Sequence, residues 1–170
     1  MPRICIIGNA GSGKSTLAKA LGAQLNIPVH HLDRHLLNAN FQKLAPQDYL
    51  KTHTELIQED NWIIDGQYEL ALPDRLKRAT LVIFLDVSRF VTLPRIIRRT
   101  RGDGHESDTI PEGAKNKQLD WSFLHWAMHY SRQYWKSTLQ KECTKLSVPL
   151  LVLRSGSLES LVEHVKEVLI

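Results

Sequence analysis

Arg3-Ile4-Cys5-Ile6-Ile7-Gly8-Asn9-Ala10-Gly11-Ser12-Gly13-Lys14-Ser15-Thr16 is the stretch from which the rest of this 170-residue sequence is best read. Arg3–Ile7 is a short apolar run that stops at a glycine, as a buried parallel strand does. Residues 8–15 then fit G-x-x-x-x-G-K-[ST] at every fixed position. Gly8, Gly11 and Gly13 free the backbone to turn its N–H groups inward around anionic oxygens. Leu17, Leu21 and Leu25 follow at i, i+4, i+8, one face of a helix whose positive N-terminal end adds to that grip. Four fixed positions arise by chance in about one chain of this length in a hundred at ordinary glycine usage. The required strand before and helix after are also present. A dinucleotide-binding loop would need its third glycine where Thr16 stands, so that reading fails.

The segment therefore reads as a P-loop, Gly8 to Thr16, holding the phosphates of a nucleoside triphosphate. Lys14 reaches the terminal phosphates and the Ser15 hydroxyl ligates Mg²⁺. No N-K-x-D base-reading motif follows in the chain, which favours ATP over GTP.

Outward from this loop, apolar runs alternate with helical periods. Strands are expected at Pro28–Leu32, Trp62–Asp65, Leu81–Asp86 and Val148–Leu153, and helices at Pro46–Asp60, from near Pro73, and from Leu158 onward. Ser88 can cap a helix in which Pro94 predicts a kink or a late start. Gln118–Lys145 reads as one long helix with two apolar stripes, its Trp and Tyr residues assigned to the core. The two stripes leave monomer and homodimer open. Residues 102–117 are polar, with three glycines and a proline, and read as a mobile loop. Such alternation predicts one α/β domain over residues 1–170, a parallel sheet with helices on both faces. Ligands bind such sheets beyond the carboxyl ends of the strands.

Candidate site residues cluster at those ends. Asp65-Gly66 closes the third strand and Asp86 the fourth. Either acid could hold a water on Mg²⁺, and Asp65 is preferred because Gly66 lets a ligand or backbone come close. Asp33-Arg34, after the second strand, would meet the acceptor, with the Asp33 carboxylate orienting or deprotonating an attacking hydroxyl. Tyr68 is a candidate wall of the acceptor site. Arg95, Arg98, Arg99 and Arg101 fall within seven residues. Arg95 and Arg99, on one helical face, are the pair expected to stabilise the charge of a phosphoryl group in transit. His31/His35 and His125/His129 have i, i+4 spacing without further zinc ligands, and read as structural or surface residues.

Composition narrows the class. The chain is 42% hydrophobic and 24% charged, with net charge +4, a globular balance rather than a disordered one. No apolar run nears the ~18 residues of a membrane span, and the N-terminal run is too short for a secretion signal. Cys5 and Cys143 form no CxxC pair, and Cys5 reads as a buried small hydrophobe. A cytoplasmic location is expected.

In their order, GNAGSGKST after RICII, HLD, WIIDG, and VIFLD before an arginine-rich helix resemble the P-loop kinases related to adenylate kinase. Within them the chain is similar to a bacterial subgroup often labelled DNA topology modulation proteins. The resemblance spans nearly the whole sequence. It implies a sheet ordered 2-3-1-4-5, a lid at about 101–117, an acceptor site near residues 33–68, and Arg154 close to the nucleotide base. Adenylate kinases continue the Asp-Gly with Phe-Pro-Arg; this chain has Gln67-Tyr68-Glu69, which argues against a nucleoside-monophosphate acceptor. The expected activity is transfer of the γ-phosphate of MgATP to a small molecule, possession of a nucleotide or nucleoside acceptor being one form of it. The alternative is a nucleotide-dependent regulator that contacts nucleic acid through the Arg95–Arg101 cluster, disfavoured because no nucleic-acid module is recognisable.

Overall fold

The computed structural model describes residues 1–40, 42, 44–100, 121–154 and 156–169. In chain order it comprises β1 (Arg3–Gly8), α1 (Lys14–Leu25), β2 (Val29–His31), α2 (Leu32–Leu36), α3 (Pro46–Gln58) and β3 (Trp62–Asp65). A 3₁₀ turn (Glu69–Ala71) leads into α4 (Leu72–Arg78), β4 (Leu81–Leu85), α5 (Arg89–Thr100) and α6 (Trp121–His129). Then come α7 (Arg132–Leu146), β5 (Leu150–Leu153) and α8 (Leu158–Leu169). The five strands form one parallel sheet in the order β2-β3-β1-β4-β5, the expected arrangement.

β1, β3 and β4 occupy the middle of the sheet and are apolar on both sides, which is why they read as unbroken hydrophobic runs. Successive residues point to opposite faces. Cys5, Ile7, Ile64, Val82 and Phe84 pack on one face with Tyr49 and Leu56 of α3, Leu76 of α4 and Leu139 of α7. Ile4, Ile6, Ile63, Leu81 and Ile83 pack on the other with Leu17 and Leu21 of α1 and Val162 and Val165 of α8. Full burial of such a side chain stabilises by about 1.5–3 kcal/mol, so the two layers hold the strand ends in fixed register. Cys5 and Cys143 are buried free thiols. Among the described residues no helix is long and apolar enough to cross a membrane.

Several local expectations change. Leu32 begins α2 instead of ending β2. The helix expected over Gln118–Lys145 is, from Trp121 onward, two helices. Ser131 lies in extended backbone between them, and its side chain accepts the Tyr134 N–H at 3.2 Å as the cap of α7. The aromatic residues on this stretch also divide. Trp135 is buried and Tyr134, beside it on α7, is 60% exposed; Trp121 is 74% exposed on α6, which packs along α5. α5 starts at Arg89, with Ser88 Oγ accepting the Phe90 N–H at 3.4 Å, and runs through Pro94. Pro94 is exposed, so water can satisfy the Phe90 carbonyl that it leaves without a helical partner. The lid expected at about 101–117, Arg101 included, lies outside the described residues, as do 118–120.

Candidate active site

The loop joining β1 to α1 is held by what surrounds it. Gly11 has φ +71°, and a Cβ there would lie 2.7 Å from the Thr92 carbonyl oxygen of α5, so only glycine fits this approach. Arg95 Nη1 donates to the Gly11 carbonyl at 3.3 Å. Asn9 is buried; its Nδ2 donates to the Ala127 carbonyl of α6 at 3.0 Å and lies 3.5 Å from Thr92 Oγ1. Its Oδ1 accepts the Ala10 N–H at 2.8 Å. Lys14 Nζ folds back to donate to the Asn9 carbonyl at 2.9 Å. Burial holds the Lys14 ammonium below its usual pKa, against the pull of Asp65 and Asp33, while Arg99 lowers it further. Ser12 Oγ is buried and makes no hydrogen bond among the described residues. Gly8 ends β1, Gly13 caps α1, and Thr16 is exposed on its first turn.

Across the sheet, β1 pairs with β3 through Ile6 and Asp65, and β2 pairs with β3 through His31 and Asp65. Asp65 is 4% exposed. Its Oδ2 accepts the Ser15 hydroxyl at 2.6 Å, and its Oδ1 lies 2.7 Å from His31 Nδ1. Gly66 has φ +123°, and a Cβ there would sit 2.9 Å from Leu32 Cβ. The close approach expected of a ligand or backbone is thus made by the Leu32 side chain. The fully buried Arg75 donates through Nη2 to the Gly66 carbonyl at 2.9 Å.

On the acceptor side, Asp33 Oδ1 accepts the Tyr68 hydroxyl at 2.9 Å. The Tyr68 ring lies against Tyr49 with centroids 5.6 Å apart. Burial, reinforced by the Asp33 carboxylate, pushes the Tyr68 pKa well above its usual value, so it remains a donor. Arg34 is exposed on α2, and Arg98 is exposed on α5.

Thus Lys14 and the Ser15–Asp65 pair lie at the carboxyl ends of β1 and β3, Arg95 contacts the loop at Gly11, and Asp33 with Tyr68 forms a second pair after β2; Arg99 is exposed on α5. Asp86, which follows β4, is engaged by two arginines: it pairs with Arg132 at 2.9 Å and with Arg154 at 3.8 Å. Two contributors escape sequence reasoning. His31 reads there as structural because its partner is set by strand register, which spacing does not reveal. Arg75 carries no local signal at all. Asn9 falls within the expected phosphate-binding loop, but its tie to α6 is not legible from an unspecified position of the motif. The assembly offers backbone donors and a lysine for phosphates, a paired hydroxyl and carboxylate for a hard cation, and a second carboxylate held by a tyrosine.

No protein-family model matches the sequence, and no curated protein matches it. Solved structures do. A gluconokinase from Sinorhizobium meliloti 1021 aligns at TM-score 0.57 and 16% identity, over 95% of this chain and 87% of that one. A shikimate kinase from Bacteroides thetaiotaomicron aligns at 0.57 and 19%, over 99% and 98%. A deoxyadenosine kinase from M. mycoides, with bound dATP, aligns at 0.62 and 13%, over 98% of each chain. At such identities the likeness shows the fold: the structural neighbours of this chain are P-loop kinases.

Proposed function

We propose that the protein is an ATP-dependent small-molecule kinase, with a nucleoside or nucleotide among the candidate acceptors, and that residues 1–170 act as one kinase domain. The observation that carries the reading is the Ser15–Asp65 contact at 2.6 Å, a hydroxyl and a carboxylate brought together across β1 and β3 beside Lys14. Two hard oxygen donors are the ligand type Mg²⁺ takes, so the residues fit the ion: Ser15 would hold it directly and Asp65 through a water. The Ser12 hydroxyl, buried and without a hydrogen bond among the described residues, and the glycine backbone fit phosphate oxygens. When bound, Mg²⁺ supplies neutralisation of the β- and γ-oxygens.

The chain's own groups supply the rest. Backbone N–H groups of residues 8–16 and the N-terminus of α1 bind the phosphates, and Arg154 lies by the nucleotide base. Lys14, Arg95 and Arg99 stabilise charge on the transferring group. Asp33, aligned by Tyr68, takes the proton of the acceptor hydroxyl as that oxygen bonds to γ-phosphorus. The bond from γ-phosphorus to the bridging oxygen breaks, leaving ADP and a phosphorylated acceptor.

The test is ADP release from MgATP against a panel of nucleosides, nucleoside monophosphates and small metabolites, with the product sought by mass spectrometry. One acceptor should accelerate release and appear phosphorylated, and Lys14→Ala should lower turnover by about 10²–10³-fold, the usual cost of one electrostatic contact to the transition state. Tight ATP binding with no acceptor-stimulated turnover would overturn the reading.

A further inference from the structure

We propose that His31 is the positioning residue for the metal-holding carboxylate, fixing Asp65 so that its second oxygen addresses Ser15. The inference rests on the kinase reading above. It begins with register. His31 and Asp65 are direct partners in the parallel pairing of β2 with β3, so their side chains leave the sheet on the same face at the same level. Both side chains are almost enclosed, at 7% and 5% exposure. An ionised carboxylate only accepts, so His31 Nδ1 carries the hydrogen in the 2.7 Å contact with Oδ1. With Oδ1 engaged, Oδ2 is left on the Ser15 side, 2.6 Å from its hydroxyl.

The neighbouring histidines serve elsewhere. His30 Nε2 meets Glu59 at 2.9 Å, and the His35 ring stands edge-on to His30. Of the three, His31 alone makes the contact with Asp65 among the described residues. Partners behind a metal ligand set its orientation, and their loss typically costs about 10–100-fold in metal affinity.

Asparagine and glutamine at position 31 separate this role from a merely structural one. Asparagine carries its amide N–H₂ close to where imidazole carries Nδ1; glutamine carries it near Nε2. Both are polar and of similar bulk. ATP binding, without acceptor, is measured by calorimetry as Mg²⁺ is titrated, and again in excess EDTA. His31→Gln should raise the half-saturating Mg²⁺ about tenfold or more, while His31→Asn stays within about threefold of wild type. ATP affinity in EDTA should be alike in all three. Equal shifts in the two variants, or none, would overturn the proposal. A wild type whose ATP binding ignores Mg²⁺ would overturn the kinase reading as well, which distinguishes the two failures. A second measurement needs no variant: ¹⁵N resonances of the wild type at neutral pH should show His31 Nδ1 protonated, and an unprotonated Nδ1 would refute the contact on which the proposal stands.

Discussion

At the scale of single residues, Asp65 has both oxygens occupied by side chains from two other elements, Ser15 and His31. Asp65→Asn keeps the shape and removes the charge. Its kcat at rising Mg²⁺ should fall by about 10²-fold or more, since a neutral amide holds a metal-bound water poorly; an unaltered kcat would detach Asp65 from the metal. His53 makes a prediction of another kind. It is buried in α3, and burial, with Arg75 adding and Asp74 opposing, lowers its pKa from 6.5 to about 4. The unfolded chain therefore binds a proton that the folded chain refuses between those values. Stability should be unaffected by His53 above pH 6.5, fall as pH drops toward 4, and level off below. The loss is at most about 3.5 kcal/mol, at roughly 1.4 kcal/mol per pH unit. Urea midpoints of wild type and His53→Leu across this window check it: the variant should show the shallower acid decline, and parallel curves would discard the assignment.

At the scale of elements, the glycine-rich loop and α5 are fitted to each other through Gly11. Gly11→Ala forces Cβ against the Thr92 carbonyl at a left-handed φ, so it should destabilise the ligand-free protein by about 1–3 kcal/mol in urea unfolding. A loss of nucleotide affinity with no loss of stability would show that the contact with α5 yields freely. What could be read in advance follows the same geometry. β1 and β3 were legible because strands buried on both faces must be apolar throughout. The P-loop was legible because its backbone path demands glycine at set intervals. The break after α6 was not: Tyr130 and Ser131 interrupt a helical period only through the cap made with Tyr134. Nor was the exposure of Trp121 and Tyr134, since periodicity shows that a stripe exists and not what lies opposite it.

For the whole molecule, the order of the sheet is invisible to periodicity and entered only through resemblance to a known family. The site inherits that limit, because Ser15 and Asp65 are 50 residues apart and meet only once β1 and β3 pair. A ligand bridging them should therefore steady the entire fold. MgATP at about 100 times its dissociation constant should add about 2.7 kcal/mol, or roughly 5–10 °C in midpoint for a chain of this size. Thermal melts with MgATP, ATP in EDTA, and Lys14→Ala check this. The midpoint should rise most for wild type with Mg²⁺, and an equal rise in Lys14→Ala would place the ligand elsewhere.

Asn9 has a consequence for anyone who would exchange parts between such proteins. The motif leaves its position unspecified, yet its amide joins the loop to the Ala127 carbonyl of α6. A loop transplanted from one of the P-loop kinases that share this fold could keep every invariant letter and still arrive without this fastening. What looks like a portable module is, in this chain, tailored to its host, and a graft that omits Asn9 would inherit the grip on phosphate but not the alignment with α6.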